Sequence, residues 1–368
     1  MEWFEEIVKD PIGYGRKVKE SGRKVIGYFC SYMPEEIVLA AGAHPFRIFG
    51  TGGDIRLADA HLQSYCCSLV RGMLENALSR RLDFLDGVIF PHTCDSIQRL
   101  SDIWRLNVPG MFHLDLVLPV KLDTPSAREY FVGVLRKLRT DLEARLEAPI
   151  TDDSLRRAVR VSNEVRRLVG RLYDIKEKTP GLISGRELWT AATASMIADR
   201  EEARAELSRL LQGIASRPAP AADGRKRLIL AGGTCGFPEI YGIAEESGGV
   251  VVGDDFCTGS RYFAETAGED GDPLAAVADR YLSRVVCPAK FAGLSSRGAR
   301  LLRTAREKKA DGVVFVLLKF CDPHAFDYPY MKDILDREGI PNLLVEMEEQ
   351  PPSEGQLRTR FETFIDMI

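Results

Sequence analysis

The chain has 368 residues, of which 45% are hydrophobic and 28% are charged, and its formal net charge is −4. These values are typical of a globular protein with room for two domains, and no Lys/Arg block favours nucleic-acid binding. No stretch approaches the roughly 20 apolar residues that a membrane span requires. Residues 1–10 lack the basic start and apolar core of a signal peptide. We therefore expect a cytoplasmic protein that binds neither nucleic acid nor membrane.

Residues 1–125 alternate short apolar strands with helices, which is the pattern of a doubly wound parallel sheet. The predicted strands are Val25–Cys30, Phe46–Gly50, an apolar run that begins at Asp86, and Met111–Leu116. The predicted helices are Glu5–Arg23 with an interruption at Pro11–Gly13, Glu35–Ala41, His61–Ser79 and Ile97–Trp104. The sequence therefore predicts an N-terminal α/β domain over residues 1–125.

Residues 126–224 are predicted to form a helical segment that ends in a linker. Apolar residues recur at helical spacing between about Ser126 and Leu211, with breaks expected at Pro149 and Pro180. The stretch 213–224 is rich in Ala, Pro and Gly, which is typical of a linker. The many Arg and Glu residues of this segment are interpreted as a solvated face without chemistry.

Residues 225–368 resemble the first 125 in their order of elements, which indicates a diverged internal duplication. The predicted strands are Arg227–Ala231, Val250–Asp255, an apolar run that begins at Asp311, and Asn342–Met347. The predicted helices are one between Glu239 and Ser247, Pro273–Leu282, Ser296–Lys308 and one at the C-terminus. The fold class is therefore predicted as α/β, with two Rossmann-like (flavodoxin-like) domains that each contain a parallel sheet and a helical segment between them.

Two similar stretches, one in each half, indicate where chemistry occurs. Asp86-Gly-Val-Ile-Phe-Pro-His-Thr-Cys94-Asp and Asp311-Gly-Val-Val-Phe-Val-Leu-Leu-Lys-Phe-Cys321-Asp both open with Asp-Gly and end on Cys-Asp. The apolar residues between these ends are typical of a buried parallel strand. Ligands of open α/β sheets bind at the carboxyl ends of the strands. Two cysteines placed there by two halves predict a shared metal centre at the domain interface.

The remaining cysteines favour the same interpretation. The chain has eight, which are not expected to form disulfides in a reducing compartment, and none forms C-x-x-C. Five follow or nearly follow a predicted strand: Cys30, Cys94, Cys235, Cys257 and Cys321. Cys67 lies near a helix start and Cys287 precedes Pro288. Thiolates are the usual ligands of iron–sulfur clusters, so a cluster assembled from distant cysteines is predicted. Cys66 and Cys67 are adjacent and cannot easily bind the same metal, so one of the two is interpreted as a packing residue.

Other motifs carry less information. Gly232-Gly-Thr-Cys-Gly does not fit a dinucleotide loop, and the chain has no Walker lysine motif. The five histidines show no zinc-enzyme spacing, and no nucleophile elbow is present. His92 and His324 lie close in sequence to Cys94 and Cys321, and each of these cysteines is followed by an acid. The candidate residues for protonation or for support of the metal ligands are His92, Asp95, Asp322 and His324.

At these residues the chain resembles the subunits of 2-hydroxyacyl-CoA dehydratases and benzoyl-CoA reductases. The resemblance runs from about Val25 to the C-terminus and rests on six segments: Tyr28–Glu36, Ala40–Ala43, Ser64–Arg71, Asp83–Asp95, Asp254–Phe263 and Phe320–Pro323. In that family a subunit holds a [4Fe–4S] cluster through three cysteines, two from its first domain and one from its second. The resemblance assigns these roles to Cys67, Cys94 and Cys321.

The additional cysteines resemble those of the double-cubane-cluster proteins, a homodimeric branch of the same superfamily. In that branch, six cysteines of one chain hold two [4Fe–4S] cubanes that share a bridging sulfide. The resemblance assigns the second ligand set to Cys30, Cys257 and Cys287. Cys235 is the alternative to Cys30, because the duplication makes these two cysteines counterparts.

The resemblance implies an iron–sulfur reductase with a double-cubane [8Fe–9S] type cluster that delivers low-potential electrons to a small substrate. A separate ATP-dependent activator protein with its own iron–sulfur cluster would supply the electrons, and the chain would form a homodimer. One alternative is a 2-hydroxyacyl-CoA dehydratase or benzoyl-CoA reductase subunit with a single [4Fe–4S] cluster and an acyl-CoA substrate. The other is a non-catalytic electron-transfer protein. The sequence does not name the physiological substrate.

Overall fold

A computed structural model of the chain describes residues 1–50, 53–218, 220, 224–234, 236–237, 239–284, 287–348 and 353–368. The strands are β1 Val25–Tyr28, β2 His44–Arg47, β3 Gly87–Pro91, β4 Phe112–Leu116, β5 Lys226–Gly232, β6 Gly249–Asp255, β7 Gly312–Leu318 and β8 Asn342–Met347. The helices are α1 Glu2–Lys9, α2 Pro11–Glu20, α3 Glu35–Ala40, α4 Ser68–Leu78, α5 Asp95–Asn107, α6 Pro125–Leu146, α7 Asp152–Lys178, α8 Gly185–Ile197, α9 Arg200–Ala215, α10 Glu239–Glu246, α11 Ser260–Phe263, α12 Pro273–Ser283, α13 Ser296–Glu307, α14 Asp322–Arg337 and α15 Glu354–Met367.

Two parallel four-stranded sheets form within this described part of the chain. The first has the order β2-β1-β3-β4, and the second has the equivalent order β6-β5-β7-β8. Their strands are apolar runs that are mostly buried, as expected when helices cover both faces of a sheet. The predicted α/β class with two parallel sheets is confirmed. The division of the chain at residues 125 and 224 stays a prediction.

The repeated Asp-Gly motif has a structural role at the amino end of each sheet. The Asp86 carboxylate accepts a hydrogen bond from the Val25 N–H at 2.9 Å, and the Asp311 carboxylate accepts one from the Arg227 N–H at 2.7 Å. Each glycine makes room for an aromatic ring, since a Cβ on Gly87 would lie 2.3 Å from the Phe112 ring. The motif therefore aligns neighbouring central strands, and the cysteines follow at the opposite ends of those strands.

The helical segment connects the two sheets. Helix α7 packs against α3 of the first half and against β6, α11 and α12 of the second. Side-chain caps define several helix starts, with Thr151 at α7, a Ser184–Glu187 capping box at α8 and Asp199 at α9. Breaks occur near Pro149 and Pro180 as predicted, and a further break at residues 198–199 was not predicted.

Several predicted boundaries were wrong by a few residues, and two elements were missed. Cys67 precedes α4 rather than lying inside a helix from His61, because a 3-10 helix at Ala58–Ala60 is followed by turns over residues 61–66 and the α-helix begins only at Ser68. The short helix α11 and the 16-residue helix α14 were not predicted. Among the described residues, no helix combines the length and the apolar character needed to cross a membrane.

A buried ionic cluster joins the helical segment to both halves. The Glu35 carboxylate accepts hydrogen bonds from Arg200 at 2.6 Å, from Arg166 at 3.3 Å and from the Tyr262 hydroxyl at 2.9 Å. Arg166 also binds Glu36 at 2.6 Å. Burial alone would raise the pKa of Glu35, but Arg200 and Arg166 outweigh it and lower the pKa to about 2. Glu35 is therefore ionised in the folded chain.

Replacing Glu35 by Gln should reduce the free energy of unfolding by about 3–5 kcal/mol, because removal of one partner leaves a buried arginine charge uncompensated. Chemical denaturation at neutral pH measures this loss. The matched control is Glu164→Gln, which removes a solvent-exposed partner of Arg204 and should cost far less, because exposed ion pairs contribute little to stability. Equal losses in the two variants would contradict the interpretation.

The stability lost in Glu35→Gln should depend on pH. The folded-state pKa of Glu35 is lowered to about 2, below the unfolded value of about 4.3. Its stabilising contribution is therefore present above the unfolded pKa and is lost as the pH falls toward 2. The difference in unfolding free energy between the original chain and Glu35→Gln should shrink across this acid range, and a constant difference would count against the mechanism.

Candidate metal centre

Three of the predicted ligand cysteines directly precede helices. Cys67, Cys94 and Cys321 are the N-cap residues of α4, α5 and α14. Cys94 and Cys321 also follow β3 and β7, which hold equivalent positions in the two sheets. The first turn of a helix offers unpaired N–H groups and a partial positive charge. These three thiols therefore lie where the backbone favours a thiolate or an anionic cluster.

The other three predicted ligands lie in loops from both halves. Cys30 follows β1, and Cys257 follows β6, where its N–H donates to the Gly233 carbonyl at 2.8 Å. The Cys287 N–H lies 3.3 Å from the Tyr32 hydroxyl, to which it donates. Since Tyr32 is two residues beyond Cys30, this hydrogen bond joins a loop of the second half to the Cys30 loop of the first.

Electrostatic interactions connect all six thiols in one neighbourhood. The interacting pairs are Cys67–Cys321, Cys321–Cys94, Cys94–Cys30, Cys30–Cys287, Cys287–Cys257, Cys257–Cys321 and Cys287–Cys321. In each pair, the charge of one thiolate raises the pKa of the other. The sequence placed these cysteines at positions up to 291 residues apart, and the fold brings them together from both halves.

The pKa values show the state of these thiols without metal. Burial is the largest cause, and it raises the pKa of Cys94, Cys287 and Cys321 each to about 12. A hydrogen bond with Cys66, followed by burial, raises the pKa of Cys67. These four thiols are therefore protonated near neutral pH, and a bound metal would have to displace their protons.

Two cysteines, Cys66 and Cys235, have no assigned ligand role, and the structure describes only the first of them. Cys66 is buried and makes a hydrogen bond with its neighbour Cys67. That hydrogen bond, together with Ser96 and Arg71, lowers the pKa of Cys66 to about 7 although burial opposes the shift. Cys235, the alternative to Cys30, lies outside the described residues. The choice between Cys30 and Cys235 therefore stays a prediction.

Two observations test whether these residues fit an iron–sulfur cluster. Across the described residues, no three His, Cys, Asp or Glu side chains converge so that they could hold one metal ion. A cluster presents a different iron to each thiolate, so its ligands do not need to converge on one point. The second observation is the buried guanidinium of Arg261, whose Nη1 has no acceptor in the described structure. The thiols are soft metal ligands, and the Arg261 N–H group beside them is a hydrogen-bond donor without an acceptor. Together they fit an anionic group that contains metal and sulfur.

A cavity of about 480 Å³ lies beside Cys94, between the two halves. Its volume falls within the range of about 300–1,000 Å³ that is usual for small-molecule sites. Cys94, Asp95 and Lys290 form part of its wall, together with apolar side chains that are exposed to solvent. These exposed residues are Val120, Phe291, Leu294, Phe326 and Tyr330. The cavity therefore combines a polar wall next to a predicted ligand with apolar side chains open to solvent.

The four predicted catalytic residues lie in different environments. Asp95 and Asp322 begin α5 and α14 and line the cavity. The His92 ring lies 2.8 Å from the Asp115 carboxylate and does not line the cavity. His324 is buried, and burial together with the nearby Arg261 and Arg297 holds its pKa well below the usual range, so it is neutral. Their proposed roles in proton transfer stay predictions.

Sequence reasoning missed two cations. Lys290 is 7% exposed, lines the cavity and donates to the His92 carbonyl at 3.2 Å. Arg261 is fully buried and interacts electrostatically with Cys257 and Cys287. The sequence held a signal for both, since Lys290 follows Cys287 by three residues and Arg261 follows Cys257 by four. A cationic residue this close in sequence to a predicted ligand indicates that its positive charge could compensate the negative charge of the thiolate.

Comparison with known proteins shows which enzymes the chain is similar to. A sequence model of the family described as 2-hydroxyglutaryl-CoA dehydratase, D-component, matches residues 30–368, a range that includes all six predicted ligands. A benzoyl-CoA reductase subunit of Thauera aromatica is 31% identical over 358 residues, which cover 96% of this chain and 92% of that protein. The (R)-phenyllactyl-CoA dehydratase beta subunit of Clostridium sporogenes is 29% identical, with coverage of 99% and 97%. The beta subunit of the (R)-2-hydroxyglutaryl-CoA dehydratase of Acidaminococcus fermentans is 27% identical, with coverage of 100% and 98%.

In metal-free protein, the thiolate absorbance in the ultraviolet should show an ionisation step near pH 7 that belongs to Cys66. The step should be absent from Cys66→Ser. In Cys67→Ala it should move toward the ordinary thiol pKa of about 8.5, because that variant removes the side-chain hydrogen bond that stabilises the Cys66 thiolate. Cys287→Ser is the control and should leave the step in place. An unchanged step in Cys66→Ser would show that another thiol produces it.

Proposed function

The chain belongs to the 2-hydroxyglutaryl-CoA dehydratase D-component family, and on this premise we propose that it is an iron–sulfur reductase. Six cysteines would hold a double-cubane [8Fe–9S] type cluster, that is, two [4Fe–4S] cubanes joined by a sulfide. Its relatives include subunits of dehydratases and of a reductase, so an enzymatic role is supported. The bound cluster would supply single electrons of low potential to a small substrate.

The observation that carries this proposal is the electrostatic connection between two sets of three cysteines. Cys67, Cys94 and Cys321 would hold one cubane, and Cys30, Cys257 and Cys287 would hold the other. Cys94 interacts with Cys30, and Cys321 interacts with both Cys257 and Cys287. Each set draws on both halves of the chain, so a cluster would lie at the interface that the sequence predicted. A single cubane would leave three of these six thiols unused.

The cavity supports a small-molecule substrate. It lies against Cys94, so a bound molecule would approach the cluster from the side of the first ligand set. Lys290 would orient a polar or anionic group through its ammonium, and the apolar side chains at the mouth would limit access of water. Asp95 and Asp322 would hold or release protons at the cavity wall, in keeping with the proton demand of a reduction.

The proposed partners follow from the relatives. Several are named as subunits, which supports assembly with other chains. We place electron supply in an ATP-dependent activator protein with its own iron–sulfur cluster, since the sequence of this chain has no recognisable nucleotide loop. The proposed assembly is a homodimer in the cytoplasm, and the substrate is a small molecule or an acyl-CoA.

Two other functions fit part of the same observations. The names of the relatives favour a 2-hydroxyacyl-CoA dehydratase or benzoyl-CoA reductase subunit with a single [4Fe–4S] cluster, held by Cys67, Cys94 and Cys321. In that case Cys30, Cys257 and Cys287 would only pack between the halves. A non-catalytic electron-transfer protein would bind the same iron but would reduce no acceptor when supplied with activator and ATP.

Protein purified without oxygen should contain about eight irons per chain, with a similar amount of acid-labile sulfide, because two four-iron cubanes are proposed. Cys257→Ser should retain about half of this iron, because it removes a ligand of one cubane only. Iron and sulfide analysis per folded chain measures both quantities. Comparison of Cys30→Ser with Cys235→Ser would assign the sixth ligand, since only the true ligand should lower the iron content.

Cys66→Ser is the matched control, because Cys66 adjoins a predicted ligand but has no proposed role as one. It should retain all of the iron. About four irons in the original chain, unchanged in Cys257→Ser, would favour a single-cluster subunit of a dehydratase or reductase. A chain without iron under conditions that preserve clusters would contradict the proposal.

A further inference from the structure

The guanidinium of Arg261 is buried with part of its hydrogen-bonding capacity unused. Arg261 lies in α11 and is 1% exposed. Its Nη2 donates to the carbonyl oxygens of Gly232 and Asp255, and its Nε lies 3.3 Å from the Asp255 carboxylate. Its Nη1 has no hydrogen-bond acceptor among the described residues. A guanidinium has five N–H donors in a fixed plane, and a buried donor without an acceptor is unfavourable. The fold therefore leaves a place for an acceptor beside Nη1.

The neighbours of Arg261 indicate which acceptor belongs there. After Asp255, its strongest electrostatic partners are Cys257, Cys287 and Tyr32. The backbone fixes this proximity, because Arg261 binds the Gly232 carbonyl and the Cys257 N–H binds the adjacent Gly233 carbonyl at 2.8 Å. Two consecutive carbonyls at the end of β5 therefore hold the guanidinium and the Cys257 loop side by side.

We propose that Nη1 of Arg261 donates hydrogen bonds to the sulfurs at Cys257 and Cys287 when these residues hold the cluster. This inference rests on the proposed double-cubane cluster. Arg261 is a positioning residue in this role, because it acts on the electron-accepting group and does not contact substrate. Its N–H groups and its fixed positive charge stabilise the reduced cluster, which is more negative than the oxidised one.

The proposal makes the two cubanes inequivalent. The first ligand set lies at three helix N-termini, whereas the second faces a full guanidinium charge from a buried side chain. Hydrogen bonds to sulfur and positive charge near a cluster both raise its reduction potential, because they stabilise the more negative reduced state. The cubane held by Cys30, Cys257 and Cys287 therefore has its potential set by Arg261, and the other cubane does not.

The test is a redox titration, followed by electron paramagnetic resonance, of anaerobically purified Arg261→Gln and Arg261→Lys. Arg261→Gln should keep its iron, shift one midpoint potential to a more negative value and leave the other unchanged. Arg261→Lys should shift the same potential by less, because lysine keeps the charge but lacks the planar fork of donors. Iron per chain is measured on the same samples.

The matched control is Arg280→Gln, which removes another buried arginine of the second half. Arg280 donates to the carbonyls of Tyr262, Ala264 and Glu265, and its strongest electrostatic partners include no cysteine. This variant should lower the thermal unfolding temperature and leave both potentials unchanged. The comparison of the two variants distinguishes the effect of losing any buried cation from the effect of losing the cation that faces the sulfurs.

Full iron with unchanged potentials in Arg261→Gln would overturn the proposal. If that variant does not fold, hyperfine spectroscopy of the unsubstituted chain with ¹⁵N-labelled arginine decides instead. The electron spin of the reduced cluster should couple to a guanidinium nitrogen. This coupling should persist in Arg280→Gln and disappear in Arg261→Lys. A missing coupling in the unsubstituted chain would refute the role of Arg261. Absence of iron from the unsubstituted chain contradicts the proposed function itself, so the two failures are distinguishable.

Discussion

Glu35 lies where three parts of the chain meet, and its carboxylate is bonded to all three. It begins α3 in the first half, and its carboxylate accepts a hydrogen bond there from the Tyr28 hydroxyl at 3.3 Å. The carboxylate also binds Arg166 and Arg200 of the helical segment and accepts a hydrogen bond from the Tyr262 hydroxyl of the second half. Cys30 precedes Glu35 by five residues, and Cys257 precedes Tyr262 by the same number. The distance between these two cysteine loops is therefore fixed by a buried ion cluster. Buried charges tolerate little displacement, because a partner that moves away leaves an uncompensated charge.

The sheets could be predicted from the sequence because buried parallel strands are short apolar runs with clear ends. Strand β8 has the bounds that the apolar pattern gave, Asn342–Met347. Helix α14 was missed because its Pro323 and Pro329 mask a helical pattern, although proline in the first turn is a helix-start signal. Cys67 was predicted to lie inside a helix because the local sequence gave no helix-start signal at this residue. Cysteine is not among the favoured N-cap residues, so nothing in the local sequence marked it as the residue before a helix start.

The cysteines of the candidate centre were predictable because chemistry restricts which residue types can bind a cluster. The rule that the carboxyl ends of parallel strands lie at one edge of a sheet applies to Cys30, Cys94, Cys257 and Cys321. Cys67 and Cys287 do not follow a strand, and their place in the ligand sets came from the family resemblance. Lys290 and Arg261 were not predicted although each lies within four residues of a predicted ligand, because their contacts with the cavity and with more than one thiol arise only in the tertiary fold. For Lys290 and Arg261 a chemical role was missed, whereas for the Asp-Gly motif a chemical role was predicted where the structure shows a structural one. Its repetition suggested chemistry for the whole stretch, whereas Asp86 and Asp311 bond to the backbone of a neighbouring strand at the amino end of each sheet.

Helix α7 has a consequence for how the molecule moves. Its 27 residues correspond to a rod of about 40 Å at the usual rise per residue, and it packs against elements of both halves along its length. A hinge between the two sheets would have to bend this rod or separate it from one half. Sharp bends in helices occur at proline, at glycine–serine pairs or at bulges, and the interior of α7 contains neither proline nor a glycine–serine pair. We therefore expect the two sheets to move as one body, so that small molecules enter and leave through local motion of side chains at the cavity mouth rather than through closure of one half onto the other.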